Sequence, residues 1–486
     1  MIRALFLLHR YLGIAVGALM AMWCVSGVVM MYVAYPSLDE SARLQHLEPL
    51  EWSDCCKISH EALNETERLS GTPGLSDTDP VSELRIESLA GRPVMYLRTP
   101  RKAHMIDLAS GSPMDRVSPE QAATVVRAYA KNSLLPTPRL LETIDYDQWT
   151  VSGLRGARPL YRFSLDDDAG TEIYVSSVTG RAVQVTTARE RFWNWLGSIP
   201  HWLYFAELRH RPALWGQIVI ATSLLGCFLA MTGLYIGVRQ LLLRPEGRWS
   251  PYQGFNLWHH VAGLVFGVLT LTWVLSGLLS MNPWGLLEGA GSDEERSLLR
   301  GAPDASGAKI EAAVQAFAAA HPPGLVSVKT SPFNGQMYFE ATTAAGNRRR
   351  LNSAAVPAPL DAADLAYVAR VLCGGGAPVA PQLMRQEDAY YFSHHRDLAR
   401  LPVYRVTLPG DSATRYYLDA VSGALVAKFD PGARAYRWWH LGLHRMDFAA
   451  AMRGRPQWDI LMLLLMSGVT MVCVTGTYLG YRRLFH

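Results

Sequence analysis

Four histidines carry the chemistry open to this chain. His9 heads the stretch Leu8-His9-Arg10-Tyr11-Leu12-Gly13, which runs on through Gly17, Trp23 and Ser26-Gly27. The pattern returns as His259, Gly263, Gly267, Trp273, Ser276 and Gly277, each displaced by 250 positions (259 − 9). A second displacement, of 243 positions (402 − 159), carries 159–165 onto 402–408, Tyr174 onto Tyr417 and Gly180 onto Gly423. It also carries His201 onto His444 and Thr232-Gly233 onto Thr475-Gly476. A neutral imidazole is a common metal ligand, and metal-binding groups at membrane depth are expensive enough to read as functional. Two imidazoles meeting from opposite sides suit an iron porphyrin, whose axial positions lie above and below the ring. One pair, His9 with His259, would sit near one membrane face, and the other, His201 with His444, near the opposite face.

The elements that must position these residues are membrane helices. The chain has 486 residues, 49% hydrophobic and 18% charged, too apolar for an average soluble protein and too charged for membrane helices alone. Four runs, 11–35, 214–238, 261–284 and 460–481, contain no Asp, Glu, Lys or Arg, and each reaches the roughly 20 residues that span a bilayer. The first is too long for a signal-peptide core and lacks an evident small-residue cleavage site, so it is expected to remain as a helix. Arg3 and Arg10, then Arg239, Arg244 and Arg248, then Arg482 and Arg483 flank the runs on one side, which places both termini in the cytoplasm. The long segments then lie outside, in the periplasm of a diderm bacterium. The net charge of +4 is largely explained by these flanks and is no nucleic-acid signature.

Between the helices, strands are expected at 83–87, 93–98, 159–165, 172–176, 325–329, 336–341, 402–408 and 415–419. Helices are expected from Ser118, with Pro119 at the first helical position, to about Lys131, and over 308–320 and 361–372. Residues 36–80 read as irregular. The expected fold class is an integral membrane α-helical protein with four transmembrane helices, built from two parallel repeats of helix, α+β domain, helix. The boundaries are 1–35, 36–195, an interfacial 196–213, 214–240, a cytoplasmic loop at 241–256, 257–284, 285–436, an interfacial 437–456, and 457–483. Parallel repeats relate by an axis along the membrane normal, which is what would bring the histidines face to face.

Other residues read less specifically. His260 aligns with Arg10 and is expected as a partner for a porphyrin propionate or as a surface residue. His440 lies four positions before His444 but aligns with Gly197, so His444 is the better ligand. Gly13, Gly17, Gly263 and Gly267 would let a bulky group lie against the backbone, and close helix packing explains them equally well. Trp193, Trp195, Trp202, Trp438 and Trp439 fit an interfacial belt. Tyr391, His394, His395 and Arg396 form the stretch nominated for contact with an iron substrate, against an ordinary strand with polar flanks. Cys24, Cys227 and Cys473 read as small apolar residues, and Cys55, Cys56 and Cys373 lie where a disulfide persists. No C-x-x-C-H occurs, against covalent haem, and no G-x-G-x-x-G, so electrons would come from a separate cytoplasmic donor or a quinol.

With these residues the chain resembles the PepSY-associated transmembrane family, which includes integral membrane siderophore reductases. The likeness rests on His9-Arg10-Tyr11-Leu12-Gly13, Trp258-His259-His260 with Gly263, 390–396, Leu443-His444-Arg445-Met446-Asp447-Phe448, and the Thr-Gly ends of helices two and four. Ser110-Gly111 after Ile106-Asp107, and Ser422-Gly423 after Asp419, resemble the family's PepSY modules. The resemblance implies two non-covalent b-type haems held by His9, His259, His201 and His444. It further implies a multi-pass protein of the bacterial inner membrane that reduces a ferric chelate or siderophore outside. Two other functions stay open: a non-redox membrane protein whose external domains bind a peptide or protease, and a haem conduit to another periplasmic acceptor.

Overall fold

The computed structural model describes residues 2–53, 55–58, 83–98, 103–130, 137–244, 248–374, 376–393 and 398–485. Four of its helices are long and apolar enough to cross a membrane: Ile2–Met30, Pro212–Leu242, Gly254–Ser280 and Gln457–Phe485. A helix is the form a chain takes in hydrocarbon because it satisfies every backbone polar group internally. Hydroxyl side chains do the same locally, as where Thr270 Oγ1 donates to the Phe266 carbonyl at 2.9 Å. The helices extend beyond the charge-free runs at their arginine-bearing ends, taking in Arg10, Arg239 and Arg482. The helix backbone continues wherever a long arginine stem can carry its charge to the interface. Val16, Met20, Leu229, Val469 and Cys473 form the buried centre of the bundle.

Among the described residues the rest of the chain makes three antiparallel sheets. The strands are β1 (Glu83–Leu89), β2 (Arg92–Arg98), β3 (Ala103–Asp107), β4 (Ser112–Met114), β5 (Arg139–Ile144), β6 (Leu160–Ser164), β7 (Glu172–Ser176) and β8 (Ala182–Thr186). Then follow β9 (Leu325–Thr330), β10 (Tyr338–Thr343), β11 (Arg348–Asn352), β12 (Gln382–Met384), β13 (Val403–Thr407), β14 (Arg415–Asp419) and β15 (Leu425–Phe429). Two four-stranded sheets run β5-β6-β7-β8 and β12-β13-β14-β15. Helices Pro119–Ala130, Gly307–Ala320 and Ala362–Leu372 stand where the sequence predicts them. Ser118 caps the first, its hydroxyl accepting from Gln121 N–H at 3.3 Å while the Gln121 side chain returns to Ser118 N–H at 2.9 Å.

The third sheet has seven strands, β11-β10-β9-β1-β2-β3-β4, and so draws on both long segments. β1 pairs antiparallel with β9, Ile86 opposite Val328 with Arg85–Lys329 and Glu87–Ser327 on either side. Leu84, Ile86 and Met95 share one core with Phe317, Val328 and Phe339. Fully burying each such side chain is worth about 1.5–3 kcal/mol. Glu87 lies at the joint, 1% exposed. Arg43 at 2.6 Å, Arg85 at 3.1 Å, Arg181 at 3.4 Å and the Ser327 hydroxyl at 3.2 Å surround it. A buried carboxylate survives only with such partners.

Between Pro36 and Ile58 the described chain includes a short helix, Glu40–Leu44, and a bonded pair, Cys55–Cys56; the rest of the stretch read as irregular, 59–80, lies outside the described residues. Cys373 is not in a disulfide.

Candidate functional site

The four histidines assemble into two pairs. The His9 and His259 rings have centroids 6.3 Å apart, and His201 and His444 6.2 Å apart. In each pair the imidazoles come from chain positions more than 240 apart.

Each ring is held by its Nδ1. His9 Nδ1 lies 3.2 Å from both the Leu229 carbonyl and Thr232 Oγ1. His259 Nδ1 lies 3.2 Å from both the Val472 carbonyl and Thr475 Oγ1. On the other side, His201 Nδ1 meets the Trp23 carbonyl at 3.0 Å and Ser26 Oγ at 3.2 Å, while His444 Nδ1 meets Ser276 Oγ at 3.0 Å. A carbonyl only accepts, so Nδ1 carries the proton at His9, His259 and His201, and the Nε2 lone pair is left for a ligand. The hydroxyls agree: Thr232 donates to the Phe228 carbonyl at 2.8 Å and Thr475 to Met471 at 2.6 Å, leaving their oxygens to accept from the rings. Burial lowers the His201 pKa to about 4. Burial, reinforced by the neighbouring His201, takes His444 to about 3. Both are neutral at pH 7, the form that binds metal.

Glycines give the rings their room. A Cβ at Gly233 would lie 2.7 Å from His9 Cε1, and one at Gly476 2.9 Å from His259 Cε1. Gly27 backs His201 at 3.4 Å and Gly277 backs His444 at 3.7 Å. Each Thr-Gly dipeptide therefore does two things: the hydroxyl fixes the imidazole and the glycine lets it in, whereas at Ser26-Gly27 and Ser276-Gly277 the hydroxyl fixes the ring and a Cβ would meet it only at ordinary contact distance. Of the glycines nominated for a bulky group, Gly13 and Gly263 leave a Cβ no contact closer than 3.9 Å, whereas Gly17 abuts Thr477 and Gly267 abuts Leu234. The first two are open beside the His9 and His259 turns; the second two serve helix packing.

The spacing can be tested against metal chemistry. Two metal–imidazole bonds of about 2.0 Å, plus ~1 Å from each nitrogen to its ring centre, put the centroids about 6 Å apart. Both pairs meet that distance. Among the described residues no group of three or more His, Cys, Asp or Glu could hold a metal ion. A metal held by either pair would take its remaining ligands from elsewhere than these side chains, and a porphyrin with two imidazole ligands is one donor set that fits the spacing. The two sites lie at different depths. Trp23 and Ser26 follow His9 by 14 and 17 positions on one helix (23 − 9; 26 − 9), ~20–25 Å at a rise of ~1.5 Å per residue.

The secondary candidates settle differently. His260 is buried and both its nitrogens are engaged, Nδ1 with Ser250 Oγ at 2.8 Å and Nε2 with the Gly237 carbonyl at 2.9 Å. It is neither a surface residue nor available to a propionate in this arrangement; it ties the loop before the third helix to the end of the second. Arg10 is exposed. His440 Nδ1 faces the Ser276 carbonyl at 2.9 Å, and its ring lies 5.6 Å from that of His444. Tyr391 stacks on Tyr417 at 5.1 Å and donates to the Arg400 carbonyl at 3.0 Å; His394, His395 and Arg396 lie outside the described residues.

Sequence reasoning passed over Arg437. It is 1% exposed at the start of a π-helical turn, Arg437–Gly442, that leads into His444. It pairs with Asp447 at 2.5 Å, donates to the Ala389 carbonyl at 3.0 Å and lies under Phe392. Arg437 thus pins Ala389 and Phe392 to the turn that carries His444. The wide turn is itself a signal, since π-bulges concentrate at functional sites, but no local residue pattern announces one.

A search of curated proteins returns no match to this chain. The family described as the PepSY-associated TM region matches residues 6–483, from before His9 to beyond Gly480. The match takes in all four membrane-length helices and the antiparallel sheets between them, nearly the whole length, and the chain belongs to the PepSY-associated transmembrane family.

Proposed function

We propose that this protein is an inner-membrane di-haem b oxidoreductase that carries electrons outward to reduce ferric iron in a periplasmic chelate, a siderophore for choice, so that iron is released. The reading rests on one observation: two opposed imidazole pairs at metal-sharing distance, one toward each end of the bundle. Family membership and the membrane helices support it. The chain is read as two parallel copies of helix, α+β domain, helix, with both termini cytoplasmic and the sheets periplasmic. The 250 and 243 displacements support this reading, as does the Ile86–Val328 pairing, which lies where a twofold axis between such copies would pass.

Bound between each pair, a b-type haem supplies a one-electron Fe(III)/Fe(II) couple. His9 and His259 hold the inner site through Nε2, and His201 and His444 the outer. Thr232, Thr475, Ser26 and Ser276 fix the tautomers and keep the rings from rotating. Apolar packing of Val16, Met20, Leu229 and Val469 between the levels excludes water. Groups held by the two pairs would supply one-electron chemistry between a cytoplasmic donor or a quinol and a ferric chelate, for which the stretch of Tyr391, His394, His395 and Arg396 is the nominated contact.

The test is a dithionite-minus-oxidised spectrum of purified protein with its haem-to-protein ratio. One bis-histidine b haem per imidazole pair is expected. His9→Ala or His259→Ala should remove one, and His201→Ala or His444→Ala the other. A protein without haem, or four variants that all keep both, refutes the reading and favours a non-redox binder of a peptide or protease. Haem without chelate reduction favours a conduit to another acceptor.

A further inference from the structure

Apart from the two imidazole pairs, the bundle brings two thiols together. Cys24 on the first membrane helix and Cys473 on the fourth bring their sulfurs to 3.9 Å. Contacting cysteines in an apolar bundle are ordinarily small fillers, which is how Cys227 still reads. The placement of Cys24 and Cys473 is more particular. Trp23, one residue before Cys24, offers the carbonyl that holds His201. Val472, one residue before Cys473, offers the carbonyl that holds His259. The thiols therefore meet between the two imidazole pairs, on helices from opposite halves of the chain.

We propose that Cys24 and Cys473 form a redox-active dithiol, oxidised inside the bilayer by a quinone-class acceptor to a disulfide between the first and fourth helices. Two S–H bonds break and one S–S bond forms. The two electrons and two protons pass to the quinone oxygens, giving the quinol, so no charge is left in the hydrocarbon. A quinone suits the site because it dissolves where ionic oxidants do not. Closing 3.9 Å to a bond of about 2.05 Å draws the sulfurs together by ~1.9 Å. That movement falls one residue from both imidazole-holding carbonyls, so the link couples the quinone pool to the seating of both pairs. The coupling rests on the di-haem reading; the thiol chemistry does not.

The full-length protein in lipid nanodiscs is reduced, freed of reductant and treated with a short-chain alkyl benzoquinone. It is then denatured, alkylated with N-ethylmaleimide and analysed by peptide mass spectrometry. Cys24 and Cys473 should lose their maleimide label and appear as a 24–473 cross-linked peptide within one chain, while Cys227 stays labelled. Cys24→Ser should abolish the cross-link and restore label to Cys473. Full labelling of both thiols after quinone treatment overturns the proposal, as do a thiol–quinone adduct in place of the disulfide or a cross-link only between chains. Haem content, read on the same sample, moves independently: a cross-link without haem sinks the di-haem reading alone, and haem without a cross-link sinks the dithiol alone.

Discussion

Replacing Gly233 by alanine adds one methyl group against the ring of His9. The new Cβ would stand 2.7 Å from Cε1, 3.4 Å from Nδ1 and 3.5 Å from Nε2. Carbon atoms rest at about 3.5–4.0 Å, so the ring must retreat by ~1 Å. The Nδ1 contacts to Leu229 and Thr232 are already 3.2 Å long, and a further step of that size carries them past hydrogen-bond range. Overpacking of this kind costs about 1–3 kcal/mol, which at about 1.4 kcal/mol per tenfold is a 5- to 150-fold loss of affinity for whatever His9 ligates. Gly476→Ala, at 2.9 Å from His259 Cε1, should do nearly as much. Gly277→Ala sets its Cβ 3.7 Å from His444 Cε1, an ordinary contact, and should be close to neutral. Haem-to-protein ratio and haem titration into depleted protein report the difference, with gel-filtration profiles confirming that each variant folds. Full haem retention in Gly233→Ala, or an equal loss in Gly277→Ala, would show that the glycines are not there to admit the rings.

Other variants probe the same construction. Thr232→Val and Ser26→Ala each remove an oxygen that accepts from an imidazole while leaving a carbonyl partner, and should weaken haem retention about 10- to 100-fold at the inner and outer site respectively; unchanged titrations would dismiss the hydroxyls. Arg437→Met removes the closest cation from Asp447, only 5% exposed, leaving the charges of Arg445 and Arg453 nearby, and should cost about 1–3 kcal/mol in thermal or denaturant unfolding; no measurable loss would mean that the ion pair is not closed in solution. Burial raises the Glu40 pKa, but hydrogen bonding to Arg43 and the charges of Arg43, Arg85 and Arg181 outweigh it and hold the carboxyl at about 2. Its contribution is complete above the ordinary glutamate value near 4.3 and lost as the pH falls toward 2. The thermal midpoint should therefore drop between about pH 4.3 and pH 2, less steeply in Glu40→Gln; a flat profile would refute the linkage.

The paired histidines are legible because a lone imidazole stands out beside a charge-free run and because each has a counterpart at a fixed displacement. Their supports are not. A serine or threonine in a membrane helix normally bonds its own backbone, as Thr232 and Thr475 do here, and nothing local says that the oxygen also receives a ring N–H. His260 misled because alignment with Arg10 suggested a surface, while the loop carrying Ser250 folds over it. Strands with a compact run of aromatic and aliphatic residues, such as 172–176 and 415–419, coincide with their expected bounds. Short or exposed strands such as Ser112–Met114 and Gln382–Met384 carry no such run and give no local signal. The β1–β9 joint lay further out of reach, since pairing across some 240 positions leaves no trace in local periodicity.

That joint bears on how such a chain arises and matures. β1 leaves the ribosome long before β9 exists, so its edge must wait, shielded or solvated, through the insertion of two further membrane helices. Because Ile86 pairs with Val328 at the centre of an antiparallel register, a half-length ancestor could have closed the same sheet by pairing its strand with that of a twin. Gene fusion would then have turned an assembly dependent on concentration into one fixed by covalent linkage.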